Sequence, residues 1–203
     1  MFATEAASGL ITEPPVLEAY NYSYEEDSNK VTLIRPAGVV SGERQIALCC
    51  TANLVTWQPV TDWTLELSSS NKRASIAVYS RVSTGTDPTT VDFTHNEVKK
   101  RNAGWYLRVS ESVVDAVGVV AYIDGTGSIT ALEPTAGTGL FICLGLNREA
   151  PGGIAFGTGP YIQTDNRVDD FAALFGVHIS ASADQEITAT SNSQMTGVQF
   201  RLK

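Results

Sequence analysis

The chain has 203 residues, 43% hydrophobic and 18% charged, with a formal net charge of −8. That apolar share supports a real core and excludes global disorder, and the acidic balance counts against a phosphate-backbone partner. The three cysteines, Cys49, Cys50 and Cys143, are an odd set without C-x-x-C spacing, which argues against both a disulfide framework and a zinc centre.

The opening Met1-Phe2-Ala3-Thr4-Glu5 has no cationic stretch followed by an apolar one, the mark of a secretory signal. No apolar run approaches the roughly 20 residues that span a bilayer as a helix. The expectation is a soluble protein made in a cytoplasm. Residues 1–30 differ from the rest of the chain, with Pro14-Pro15, then Tyr20, Tyr22 and Tyr24, then Glu25-Glu26-Asp27. Pro-Pro favours extended chain. The segment reads either as a loop or edge strand leading into the domain, or as an arm on a neighbouring subunit with the tyrosines as amphipathic contacts. The organisation expected is an N-terminal arm over 1–30 and one β-domain over 31–203.

From Val31 onward the pattern is strand after strand. Over 74–82, Ala74, Ile76, Val78, Ser80 and Val82 share one face, and Ser75, Ala77, Tyr79 and Arg81 the other. Over 173–179, Ala173, Phe175, Val177 and Ile179 share a face. Such period-2 alternation marks strands. Further strands are expected at 31–34, 45–51, 63–67, 90–94 and 105–110 in the first half. The second half offers 117–123, 129–132, 140–146, 161–164, 186–190 and 197–202, all rich in Val, Ile, Thr and aromatics. Turn chemistry separates them, as in Ser83-Thr84-Gly85-Thr86-Asp87-Pro88 and Pro151-Gly152-Gly153. Only 95–103 and 168–172 offer a turn of helix.

The second half repeats the first in order. Gly104 to Val109 matches Gly197 to Leu202 at an offset of 93 positions, Ile46 to Cys50 matches Leu140 to Leu144 at 94, and Ser75 to Val82 matches Ala172 to Ile179 at 97. A shared order with small drifts is the signature of internal duplication. The predicted fold is therefore all-β, a β-sandwich or jelly roll built from two similar halves, 31–110 and 117–203. Arg108 and Arg201 are expected at equivalent strand ends.

Catalytic chemistry finds little footing. His95 and His178 stand without motif neighbours. Gly157-Thr158-Gly159-Pro160-Tyr161 lacks a third glycine and leads into a strand, so it is a turn. Asp165, Asp169 and Asp170 do not match a calcium-loop spacing. No enzyme activity, cofactor or metal is expected. Trp63 and Trp105 read as core, whereas Trp57, between Thr56 and Gln58, is the candidate for an exposed contact or a sugar-stacking platform.

One stretch carries a resemblance. Trp63-Thr64-Leu65 is succeeded by Ala77-Val78-Tyr79-Ser80-Arg81-Val82-Ser83-Thr84-Gly85, then Thr90-Val91-Asp92-Phe93-Thr94. Over residues 57–109 this resembles a pattern frequent in structural proteins of tailed bacteriophages, a tryptophan strand, an "a-v-Y-x-R-V-x-x-G" strand and turn, and a "T-V-x-F-T" strand. Asp62 stands where that pattern usually has glycine. The resemblance implies a non-enzymatic virion component assembled in the host cytoplasm in several copies, with capsid or tail proteins as partners and neither nucleic acid nor membrane. A head decoration protein is the leading expectation, a tail or fibre component the near alternative, and a glycan-binding β-module the reading from a different class. Tyr20, Tyr22, Tyr24 and Trp57 are the candidate partner contacts.

Overall fold

The computed structural model describes residues 13–71, 74–98, 100–132, 137–148, 153–168, 171–179 and 184–203. Lys99, Pro151-Gly152, Asp169-Asp170 and the first twelve residues of the expected arm lie outside them. The fold is all-β, with no helix among the described residues. The strands are β1 (Leu17–Ser28), β2 (Lys30–Ile34), β3 (Arg44–Thr51), β4 (Thr64–Asn71), β5 (Ala74–Val82), β6 (Thr90–Thr94) and β7 (Lys100–Val109). The second half adds β8 (Val114–Val117), β9 (Ala121–Ala131), β10 (Leu140–Asn147), β11 (Ala155–Phe156), β12 (Ile162–Val168), β13 (Ala172–Ile179) and β14 (Gln185–Leu202).

One sheet has the order β1-β7-β3-β5-β4 and the other β11-β14-β10-β13-β12, with β8 and β9 also on β14. A two-stranded ribbon, β2-β6, stands apart. Each large sheet draws its strands from one half of the chain, and the pairings are antiparallel. The helical turn expected over 95–103 is replaced by a bridge between His95 and Trp57 and by the start of β7. The strands expected at 186–190 and 197–202 are one strand, β14, with an irregular step between Ala189 and Ser193.

The arrangement is sandwich-like because both sheets contribute to one core. Ile46, Leu48, Ile76, Val78, Trp105 and Leu107 of the first sheet pack in the same cluster as Ile142, Leu144, Phe175, Val198 and Phe200 of the second. Each such side chain contributes about 1.5–3 kcal/mol when fully buried. The outer faces are covered too. Val31, Leu33 and Phe93 from the β2-β6 ribbon, with Trp57 and Trp63, cover Ala47, Cys49, Ala77, Tyr79 and Tyr106. Ile129, Ile154, Tyr161 and Ile187 cover Phe141, Cys143 and Leu174 on the other side. Burial on both faces explains why β3 and β10 read as nearly continuous apolar runs.

Four strands carry an extra residue against a neighbour, and β1 has a second irregular step between Glu25 and Ser28. β1 inserts Glu18 between the rungs Leu17–Val109 and Ala19–Arg108, and β8 inserts Asp115 between Val114–Leu202 and Ala116–Arg201. β4 inserts Glu66 between the rungs to Tyr79 and Val78, and β12 inserts Thr164 between the rungs to Gly176 and Phe175. These bulges fall on strands that flank the sheets, where they twist an edge away from further pairing.

Candidate functional site

Within the expected arm, Leu17–Ser28 forms β1 and continues the first sheet rather than leaving it. The two prolines precede β1, which then pairs with β7 along its length. Its period of two sets Tyr20, Tyr22 and Tyr24 on one face, half-buried against the chain's own second half. Tyr20 stands edge-on to Phe175 with ring centroids 5.1 Å apart and donates its hydroxyl to the Thr164 carbonyl at 3.2 Å. Tyr22 packs on Trp105, the Arg167 guanidinium lies 4.9 Å from its ring centre, and Tyr24 meets Phe171. Trp105 adds a hydrogen bond from its indole N–H to Asp165 at 2.9 Å, and Asp165 also pairs with Arg167. Asp165, the described member of the acidic loop, thus serves a seam between the two sheets.

Trp57 is buried, at 2% exposure, which corrects the expectation of an exposed ring. Its segment is extended, so Val55 and Trp57 point inward while Thr56 points out. The polar neighbours that suggested exposure belong to the opposite face. The ring stands edge-on to His95, whose Nε2 lies 2.8 Å from Asn102 Oδ1. Burial holds the His95 pKa below its ordinary value, although the bond to Asn102 works the other way. His178 lies on β13 beside Phe141 and Tyr161. Among the described residues no group of three His, Cys, Asp or Glu side chains is placed to hold a metal. All three cysteines are buried and free, and burial pushes their thiols up.

The residues that carry the phage-like pattern meet in space. Trp63, Tyr79 and Phe93 form one aromatic cluster, with centroids 5.1 Å apart for Trp63–Phe93 and 4.8 Å for Tyr79–Phe93. The Arg81 guanidinium lies 4.7 Å from the Trp63 ring centre. Asp62, at the pattern's glycine position, has φ +64°, a left-handed conformation that Asp tolerates better than most residues.

Behind Trp63 lies a buried polar network that sequence reasoning missed. Arg81 donates from Nε to Gln45 at 2.6 Å and from a terminal nitrogen to the Tyr106 hydroxyl at 3.0 Å. Asp87 accepts from Gln45 at 2.7 Å, Ser83 at 2.5 Å and the Thr84 hydroxyl at 2.8 Å, and stands 3.7 Å from Arg81. Burial alone would raise the Asp87 carboxyl, but these hydrogen bonds and the Arg81 charge outweigh it and hold it at about 2. The signal available in the sequence was an Arg on an alternating strand ahead of a Ser-Thr-Gly-Thr-Asp turn. A shallow groove of about 450 Å³, lined by Val60, Asp62, Trp63, Arg81, Thr90 and Asp92, lies beside it.

A larger cavity, about 670 Å³, lies where the ends of both sheets meet. Val82, Arg44 and Gly42 line it from the first sheet, Val113, Gly139 and Lys203 from the second, with Glu13, Pro14 and Glu111 at its margin. Arg108 and Arg201 stand near this end, one residue from the ends of β7 and β14. Arg108 pairs with Glu43 at 2.9 Å beneath Gly38, and Arg201 pairs with Asp115 beneath Gly137.

No family model matches the chain, and neither a curated protein nor a solved structure matches it significantly.

Proposed function

We propose that this chain is a non-enzymatic structural protein of a tailed-bacteriophage particle, and within that class a head decoration protein. The observation that carries the reading is the convergence of Trp63, Tyr79, Arg81 and Phe93, the residues of the phage-like pattern, into one packed unit on the outer face of the first sheet. The pattern is then a folding module whose role is rigidity. A rigid double sheet with covered outer faces can act as a clamp, in which several modest contacts across subunit joints add up through avidity.

The finer description of the fold belongs to the same proposal. We read the chain as two copies of one five-stranded module, a sandwich with one sheet per copy rather than an interleaved jelly roll. Supporting this, β1-β7-β3-β5-β4 corresponds strand for strand to β8-β14-β10-β13-β12. The backbone pairing is satisfied at once by offsets of 97, 93, 96, 97 and 98 positions for those five strands. The inserted residues then coincide, Glu18 with Asp115 and Glu66 with Thr164. Gly104 and Gly197 coincide as well. A Cβ on Gly104 would press on the Leu48 carbonyl, and one on Gly197 would lie 3.3 Å from the Leu144 carbonyl. Pairing also moves one sequence match by two residues, setting Leu48 against Leu144 instead of Cys49 against Cys143. A glycan-binding role has lost Trp57 as its platform and is not favoured.

The test is compositional and structural. Particles purified from a phage carrying this gene should contain the chain in many copies, and particles made without it should lack density on the head exterior. Density lost from the tail would shift the assignment to a tail component. Absence of the chain from purified particles would refute the virion reading altogether.

A further inference from the structure

Arg44 opens β3 in the wall of the end cavity. Its Nε donates to the Ser112 carbonyl at 2.9 Å, which ties the side chain to that wall. Among the described residues its two terminal nitrogens have neither a hydrogen bond nor an ion pair. By contrast, Arg81, Arg108, Arg167 and Arg201 each meet a carboxylate. Arg44 is half-buried, and burial presses its pKa downward although the charge of Glu66 works the other way. A guanidinium partly withdrawn from water without a contacting counter-charge carries a desolvation cost that an incoming carboxylate offsets. A second polar group is open beside it. Ser112 is 5% exposed, lines the same cavity, and its hydroxyl has no hydrogen-bond partner. Buried hydroxyls are nearly always bonded, so an orphan next to a free guanidinium suits an oxygen acceptor brought by a ligand. The remaining wall is largely apolar or small, with Val82, Val113, Pro14 and Gly42. A Cβ on Gly42 would meet nothing within 4 Å, so the space over this wall is open. Lys203 is already held by Asp115 at 3.1 Å, which leaves Arg44 as the cation available to a ligand. Glu13 and Glu111 line the cavity as exposed acids and disfavour an anion of higher charge.

We propose that the end cavity is a binding site for an apolar monocarboxylate of the medium-chain fatty-acid type. Its carboxylate takes the terminal nitrogens of Arg44 and the Ser112 hydroxyl, and its alkyl chain lies over Val82, Val113 and Pro14. The planar guanidinium fork matches a carboxylate through two parallel hydrogen bonds. Withdrawal of the alkyl chain from water supplies the rest of the attraction. A volume of about 670 Å³ with few polar groups is the usual character of a small-molecule site. This site goes beyond the particle assignment and does not rest on it.

The experiment is isothermal titration calorimetry of the full chain at pH 7 with decanoate and, separately, decanol, each below its aggregation concentration. The wild type should take up a single decanoate per chain and bind decanol at least about tenfold more weakly, because decanol lacks the charge that Arg44 pairs with. This comparison needs no variant to fold. Arg44→Gln should bind decanoate no better than decanol. Arg44→Lys keeps the charge but not the fork and should fall between Arg44→Gln and the wild type. Ser112→Ala removes a hydroxyl that has no partner within the chain, so it should keep the wild-type circular dichroism and lose decanoate affinity while decanol affinity stays. Equal wild-type affinity for the two probes, no decanoate binding, or uptake of several molecules per chain overturns the proposal. So does an Arg44→Gln variant that binds decanoate as the wild type does. Failure here leaves the particle-composition test standing, and absence of the chain from particles leaves the decanoate measurement standing.

Discussion

Replacing Asp87 by alanine removes the acceptor on which the buried network of the first half converges. Gln45 and Ser83 lose a partner at 2.7 and 2.5 Å, and Arg81 loses the carboxylate 3.7 Å away. Leaving one member of a buried ion pair behind costs about 3–5 kcal/mol, and each stranded donor about 1–3 kcal/mol. These costs overlap, because Arg81 keeps Gln45 and Tyr106. A loss of about 4 kcal/mol in urea-unfolding free energy at pH 7 is expected for Asp87→Ala, and about 2 kcal/mol for Asp87→Asn, which keeps one acceptor oxygen. The pH dependence supplies an independent check. The folded carboxyl is held at about 2 against an ordinary 3.8, so below pH 4 the unfolded chain takes up this proton before the folded one does. The stabilisation is complete above about pH 4 and is lost as pH falls through 2, a change of about 2 kcal/mol. Asp87→Asn should lack that component of the acid slope. A variant within 1 kcal/mol of wild type at pH 7, or one with an unchanged acid slope, would refute the network as described.

The other expectations concern packing. Gly104→Ala would set a Cβ 2.5 Å from the Leu48 carbonyl oxygen and 3.1 Å from Leu33, so the backbone must move. A loss of about 3 kcal/mol is expected by thermal or urea unfolding. Gly197→Ala presses chiefly on the movable tip of Ile187 and should cost less. Trp105→Phe loses the bond to Asp165 and should cost about 2 kcal/mol, whereas Trp57→Phe should stay within about 1 kcal/mol, because the buried Trp57 N–H has no hydrogen-bond partner. Equal losses from the two tryptophan changes would show that the seam bond to Asp165 contributes nothing. An aromatic disulfide reagent should titrate no thiol in the native protein and three after unfolding, since Cys49, Cys50 and Cys143 are buried with their thiols pushed up. Rapid native reaction would argue against the burial of β3 and β10.

The strands were legible because alternation is local. β5 is visible from Ala74 to Val82, whereas the tyrosine segment reads equally as a loop, an edge strand or an arm, and only its pairing as β1 sets Tyr20, Tyr22 and Tyr24 on one face. What lies over a face is a different matter. The tyrosines look the same whether they meet a neighbouring subunit or Phe175, Trp105 and Phe171 of their own chain. Trp57 reads as exposed from its polar neighbours in sequence, whereas in extended chain those neighbours face away from it. The buried Arg81–Asp87 network escaped notice because an Arg on a strand and an Asp in a turn are ordinary at the surface. The β2-β6 ribbon and the Trp63 ring pack over the outer face of that region.

By itself, then, the sequence determined the strand periodicity, the all-β class and the ordered recurrence of segments along the chain, since each is set by residues close together in the polypeptide. Tertiary structure alone decided that each half forms its own sheet, that β1 closes on the opposite sheet, and that two sheet ends frame an apolar cavity. Those outcomes depend on residues far apart in sequence excluding water from one another, and no local pattern encodes which distant surface will do so.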